Sequence, residues 1–238
     1  MVRLRRRRNI AKIVKRHPYL IVIEGLSGSG KHTQANLLKK KLVAEGHDVE
    51  LLSFPRYAEP TGMALKRILV AKTEFSAREM AMLYAVDRFG AKPLLIQPSR
   101  SKKQKVIILD RYVTSSAVIQ TVQLQLSDAS KKEIHKFQRW HEDLEYGIFG
   151  VPHENQVVFL DVSIDITLKL VKEREQKNVH NRERDNFEKN IVMQKEIYKT
   201  LQYFTAKRPH WKRIPCMKEG VFLPAEVIAQ LVRAAITL

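Results

Sequence analysis

Residues 25–33 read GLSGSGKHT. Gly25, Gly30 and Lys31 have the spacing of a phosphate-binding loop, G-x-x-x-x-G-K followed by Ser or Thr. His32 stands where the hydroxyl belongs, and Thr33 comes one place late. One step along a helix turns a side chain by about 100°, so Thr33 is no substitute for a hydroxyl at position 32. The context is nevertheless that of a working loop. An apolar run ending at Glu24 precedes it and an amphipathic segment follows. Glycines let backbone N–H groups curl around a phosphate, and a helix N-terminus adds partial positive charge. Gly25, Leu26, Ser27, Gly28, Ser29, Gly30, Lys31, His32 and Thr33 therefore read as a cradle for a polyphosphate, with Lys31 reaching the outer groups. The ring of His32 is open to a phosphate, a base ring or solvent.

Apolar runs predict the strands that must hold this loop, at 19–24, 49–54, 106–110, 157–162 and 212–216. The first, third and fourth are nearly continuous Val, Ile and Leu, as in parallel strands covered on both faces. Helical patterns at 33–46, 64–71, 76–97, 129–146, 164–176, 187–204 and 224–236 alternate with them. Such β-α-β alternation predicts an α/β fold, a doubly wound parallel five-stranded sheet of the P-loop NTPase type with flanking helices. The 238 residues suit one large domain, with an insertion near 174–186 expected to be mobile.

The chain carries a formal net charge of +18. Residues 1–16 hold eight Lys and Arg and no acid, and the other 35 of its 43 basic residues face 25 acidic ones. Residues 1–18 read as a basic N-terminal extension, a solvated tail able to hold nucleic acid. The remaining excess suits ligands with several phosphates. The single Cys216 excludes an internal disulfide and fits a reducing cytoplasm. No apolar run approaches the ~18 residues of a membrane span.

Three further motifs follow in order: SFPRYAEPTG at 53–62, MLYAVDRFGA at 82–91 and ILDRYVTSS at 108–116. With the glycine loop they resemble the thymidylate kinase family, in its bacterial branch with F-P-R-Y and L-D-R-Y motifs. The resemblance runs from Tyr19 to the C-terminus, predicting a nucleoside monophosphate kinase domain over 19–238. It implies Mg²⁺-dependent transfer of the γ-phosphate of ATP to dTMP, and commonly a homodimer. Arg111 would clamp the acceptor phosphate, with Asp110 ordering metal and water. Arg56 and Tyr57 would frame the same phosphate, with Phe54 lining the cleft. Tyr84 and Arg88, four residues apart on one predicted helix face, would stack on the base and bond its carbonyl. Ser115 and Ser116 would stand near the base edge.

Residues 172–188 resemble the family's helical lid. Arg182 and Arg184 would supply transition-state charge and Arg174 and Lys177 would face ATP, since Ser29 leaves the loop without an arginine. Asp185, Phe187 and Glu188 would close over the acceptor, with Glu188 joining Asp110 at the metal. The chain departs from the pattern at three places. Ser27 stands where the family has Asp or Glu, Ile119 where an aromatic guards the 2′ side of the sugar, and His32 where Ser or Thr is usual. Two other functions fit these residues: a kinase for another deoxynucleotide or deoxynucleoside, and a degenerate P-loop binding module with a nucleic-acid-binding tail.

Overall fold

Alternation along the strands sets the two layers of the fold. The structure is a computed structural model that describes residues 17–71, 74–99, 103–177 and 190–238, apart from the side chains at 174, 175 and 177. The basic run at 1–16 and residues 178–189, which take in most of the lid expected at 172–188, lie outside the described residues. Strands β1 (Tyr19–Glu24), β2 (Asp48–Ser53), β3 (Lys105–Asp110), β4 (Gln156–Asp161) and β5 (Trp211–Pro215) form one sheet in the order β2-β3-β1-β4-β5. All four pairings are parallel. Side chains alternate across a strand. Leu20, Val22, Ile107, Leu109, Val157 and Phe159 thus enter one core, while Ile21, Ile23, Val106, Ile108, Val158 and Leu160 enter the other.

Helices cover both faces. α1 (Lys31–Ala44) brings Leu38 and Leu42 to the second core. The first core receives α3 (Ala77–Leu95), which follows α2 (Pro60–Val70), and α4 (Val113–Leu126). α5 (Lys131–Glu142), α6 (Ile164–Lys177), α7 (Ile191–Lys207) and α8 (Ala225–Ala235) complete the described helices. α7 packs on the first core and α8 on the second. Among the described residues no helix is long and apolar enough to cross a membrane.

The five predicted strands are present within one residue of their expected ends. α4 is the main element that the pattern did not predict. Its residues VTSSAVIQTVQLQL are buried on nearly every side, including Thr114, Ser115, Ser116, Gln120 and Thr121, so no polar face marks a helical period. A short hairpin, β6 (Met217–Lys218) with β7 (Val221–Phe222), was equally silent. Its turn takes positive φ at Glu219 and Gly220, 50° and 79°, the requirement of a tight type I′ connection.

The predicted helix at 129–146 also changes character. After α5 the chain widens into a π-helical segment, Asp143–Ile148, which turns Glu145 into the interior beside His141, both with no exposed surface. The His141 ring lies 5.8 Å from that of Phe137. Burial, then the charge of Arg88, pulls its pKa down to about 3. An unfolded histidine binds protons near pH 6.5, so the unfolded state holds more protons across that interval. The stability from neutral His141 is complete above that pH and declines as pH falls, by about 1.4 kcal/mol per unit. Denaturant titrations of the native chain and His141→Gln should therefore converge as pH drops from 7 to 4.5, with the native chain losing more. Glu24, whose pKa is raised by burial, has the opposite slope but is common to both proteins. Parallel curves would show that His141 does not titrate on unfolding.

Candidate active site

The chain leaves β1 and β3 side by side and then turns to opposite faces, α1 to the second core and α4 to the first. This divergence opens a crevice at the carboxyl ends of the strands, where open α/β sheets take ligands. A cavity of about 690 Å³ fills it.

The glycine loop forms its floor. Gly28 holds φ at 84°, and a Cβ there would lie 2.6 Å from the Thr167 carbonyl oxygen. Gly30 caps α1 at φ 85°, a left-handed conformation that glycine adopts without steric cost. α1 begins with neither a side-chain cap nor an acidic residue in its first turn. The positive end of its dipole and its first N–H groups are thus left for a ligand. The Lys31 ammonium is buried in the loop, donating to the carbonyls of Gly25 at 3.0 Å and Leu26 at 2.8 Å. Thr33 is exposed on the rim. His32 is also exposed, but its Nδ1 stands 3.5 Å from Oδ2 of Asp110. The ring therefore faces a carboxylate.

Asp110 and Arg111 form the opposite wall. Arg111 has φ 68°, a conformation that costs a non-glycine residue about 1–3 kcal/mol and gathers at functional sites. Its Nη2 reaches across the cleft to Ser27 Oγ at 3.3 Å. Between these groups, at the end of β1, lies Glu24, 1% exposed. It accepts hydrogen bonds from Thr114 at 2.5 Å and from Ser115 at 2.7 and 2.8 Å. Burial pushes its carboxyl above the usual range, against the pull of those hydroxyls and of the Arg111 and Lys31 charges.

The expected acceptor residues Phe54, Tyr57, Tyr84, Arg88, Ser115, Ser116 and Ile119 line the same cavity. Tyr84 and Arg88 share the helix face that their spacing predicts. Arg56 does not line the wall. Asp87 accepts from its Nε at 3.2 Å and its backbone amide at 2.8 Å, and the Asp87 carbonyl accepts from its Nη2. The serines point inward: Ser115 to Glu24, and Ser116 to Gln120 at 2.9 Å and His141 at 3.2 Å. Arg182, Arg184, Asp185, Phe187 and Glu188 lie outside the described residues, as do the side chains of Arg174 and Lys177. Among the described residues, no group of three or more His, Cys, Asp or Glu could hold a metal.

Some lining residues carried no motif. Gln194, Ile197 and Leu201 come from one face of α7, Leu170 from α6 and Phe222 from β7. Their spacing signals only a core helix. Glu24 did carry a signal, a carboxylate closing an otherwise apolar strand directly before the glycines.

Comparison with known proteins agrees with this geometry. The family model described as thymidylate kinase matches residues 23–218. The thymidylate kinase of Mycobacterium tuberculosis is 31% identical over 179 residues, covering 74% of this chain and 80% of that one. The human thymidylate kinase is 28% identical over 155 residues, covering 55% of this chain and 70% of its own. The solved thymidylate kinase of Candida albicans superposes with a TM-score of 0.67 at 21% identity, over 92% of this chain and 91% of that one. That likeness shows the fold, a five-stranded parallel sheet flanked by helices. From the match over residues 23–218 and the mycobacterial relative, the chain belongs to the thymidylate kinase family.

Proposed function

We propose that the chain transfers the γ-phosphate of ATP to dTMP, giving dTDP and ADP. The observation that carries this reading is one cleft in which a phosphate loop meets Asp110 and Arg111 across the β1–β3 divergence. Phosphoryl transfer needs positioning and charge neutralisation more than a covalent catalyst. The loop amides and Lys31 hold the ATP phosphates, the lysine exchanging its two carbonyl partners for phosphate oxygens. Arg111 holds the acceptor phosphate from the facing wall, with Tyr57 at its edge. The base lies between Tyr84 and the wall formed by Arg88 and Ser116, and Ile119 borders the sugar. Residues 19–238 form the kinase domain. By the family resemblance, residues 172–188 would act as the lid, with Arg182 and Arg184 serving the transferring group, Arg174 and Lys177 ATP, and Asp185, Phe187 and Glu188 the acceptor.

The donors suit Mg²⁺, which is usually bound by one or two carboxylates, substrate phosphates and water. Asp110 is a half-buried carboxylate on the cavity wall, and Glu188 is the proposed second ligand. When bound, the ion would neutralise charge on the phosphates of the donor. Asp110 keeps its carboxylate at the cleft, with His32 rather than a hydroxyl beside it.

A second copy of the chain is the proposed partner. Met82, Val86 and Phe89 lie at i, i+4 and i+7 on α3, 44%, 45% and 47% exposed, and Ile96 extends the stripe. An apolar stripe at that spacing suits a helix-to-helix contact between subunits. Sedimentation should give a dimer, and Val86→Glu a monomer. A native monomer would remove this partner.

The function is tested by ADP release with each nucleoside monophosphate and with thymidine. dTMP should be the best acceptor. A preference for another deoxynucleotide or for the nucleoside would redirect the reading, and nucleotide binding without turnover would mark a binding module. Arg111→Ala should remove most turnover, by about 10²-fold or more, while ATP binding stays nearly intact. Lys31→Ala should weaken ATP binding. Equal loss of ATP affinity in both variants would place Arg111 in the wrong half of the cleft.

A further inference from the structure

Behind the cavity wall that carries Tyr84 lies a buried ion pair. Arg88 is 2% exposed and Glu145 has no exposed surface. Arg88 donates to Glu145 Oε1 from Nε at 2.9 Å and also from Nη2. Burial works against the Arg88 charge, but Glu145 outweighs it and the guanidinium pKa stands above its ordinary value. His141 joins from the other side, its Nε2 3.7 Å from the same Oε1 and 3.2 Å from Ser116 Oγ. Arg88 and Ser116 both line the cavity, so this network ends at the ligand surface.

Stability alone does not account for such a cluster. The desolvation of a buried pair commonly offsets its Coulomb attraction, and apolar side chains of similar volume often serve as well. Here Glu145 Oε2 and His141 Nδ1 are buried without hydrogen-bond partners, which adds cost. The backbone points the same way. Glu145 sits in the π-helical segment Asp143–Ile148, and its wider turn changes which residue faces Arg88. Single π turns are found disproportionately at functional sites. The bonds to Glu145 leave from Nε and Nη2, so Nη1 is the nitrogen not held by Glu145.

We propose that Glu145 is a positioning residue for the acceptor base, locking Arg88 so that Nη1 is offered to the cavity as a fixed cationic donor. A guanidinium has five N–H donors and no acceptor. Held in this way it accepts a base with a carbonyl oxygen at that edge and rejects one with an amino group there. This inference rests on the proposed reading that the base lies against Tyr84 and Arg88.

The experiment measures KM and kcat of the full chain with dTMP, dCMP and ATP, for the native protein and Glu145→Gln. The variant keeps the volume and one acceptor oxygen but loses the charge that fixes Arg88. KM for dTMP should rise about tenfold, with KM for ATP essentially unchanged. The preference for dTMP over dCMP, as a ratio of kcat/KM, should narrow by about the same factor. A merely structural Glu145 would lower the melting temperature and depress both acceptors in proportion, and an unchanged ratio overturns the proposal. If Glu145→Gln does not fold, Glu145→Asp reads the same quantity, since it keeps the charge but withdraws the carboxylate by one methylene. It should raise KM for dTMP several-fold at constant KM for ATP, and no rise overturns the proposal. A native chain that phosphorylates dTMP while its variants keep full preference refutes Glu145 alone. A native chain inert toward dTMP refutes the reading of the cavity as well.

Discussion

Ile23 of β1 lies opposite Asp110 of β3, and the Arg111 amide donates to the Ile23 carbonyl at 3.4 Å. That pairing brings the end of one strand, with its glycine loop, beside the end of the other, with its Asp-Arg pair. A slip of one residue would exchange every side chain of β1 between the two cores. Ile21 and Ile23 would then face the layer built for Leu20 and Val22, all of them essentially buried. Burial of each such side chain contributes about 1.5–3 kcal/mol, so the register is held by several residues together. The cleft inherits its geometry from this packing. Neither wall needs a dedicated brace, because the sheet already fixes their separation.

Charge is arranged around that pairing in a graded way. Glu24 is the innermost group and is surrounded by hydroxyls from the first turn of α4. Lys31 and Arg111 lie outside it, both lowering its pKa against the effect of burial. The hydroxyls of Thr114 and Ser115, small enough to fit against the sheet, explain why this turn of α4 carries no large side chain.

The sequence made the parts with a one-dimensional signature legible. Buried parallel strands read as apolar runs, the phosphate loop has fixed spacing, and Tyr84 with Arg88 shares a helical period. α4 escaped because a helix buried on all sides has no polar stripe, and its β-branched and hydroxyl residues are poor helix formers. The partners of arginines escaped for a different reason. Asp87 holds Arg56 from 31 residues away, and Glu145 holds Arg88 from 57. Nothing in a motif encodes which carboxylate a distant fold will bring up. The arginine expected at the acceptor phosphate, Arg56, is thus held by Asp87, and the one expected at the base, Arg88, by Glu145. The lid arginines belong to residues outside those described, and their roles stand on the family resemblance.

The departures at Ser27 and His32 make sense as a pair once the two walls are considered together. Arg111 reaches across to position 27 and meets a neutral hydroxyl. A carboxylate there would form an ion pair with Arg111 and compete with an incoming phosphate for the same guanidinium. At the neighbouring crossing the exchange runs the other way, since Asp110 meets an imidazole instead of a loop hydroxyl. The loop thus gives up one negative side chain facing Arg111 and places a basic ring facing Asp110. The serine at position 27 leaves one negative charge fewer on the floor that must receive a polyphosphate. Among the described residues that line the cleft, Asp110 is then the accessible carboxylate, so any metal ordered there would depend on the β3 wall rather than on the phosphate loop.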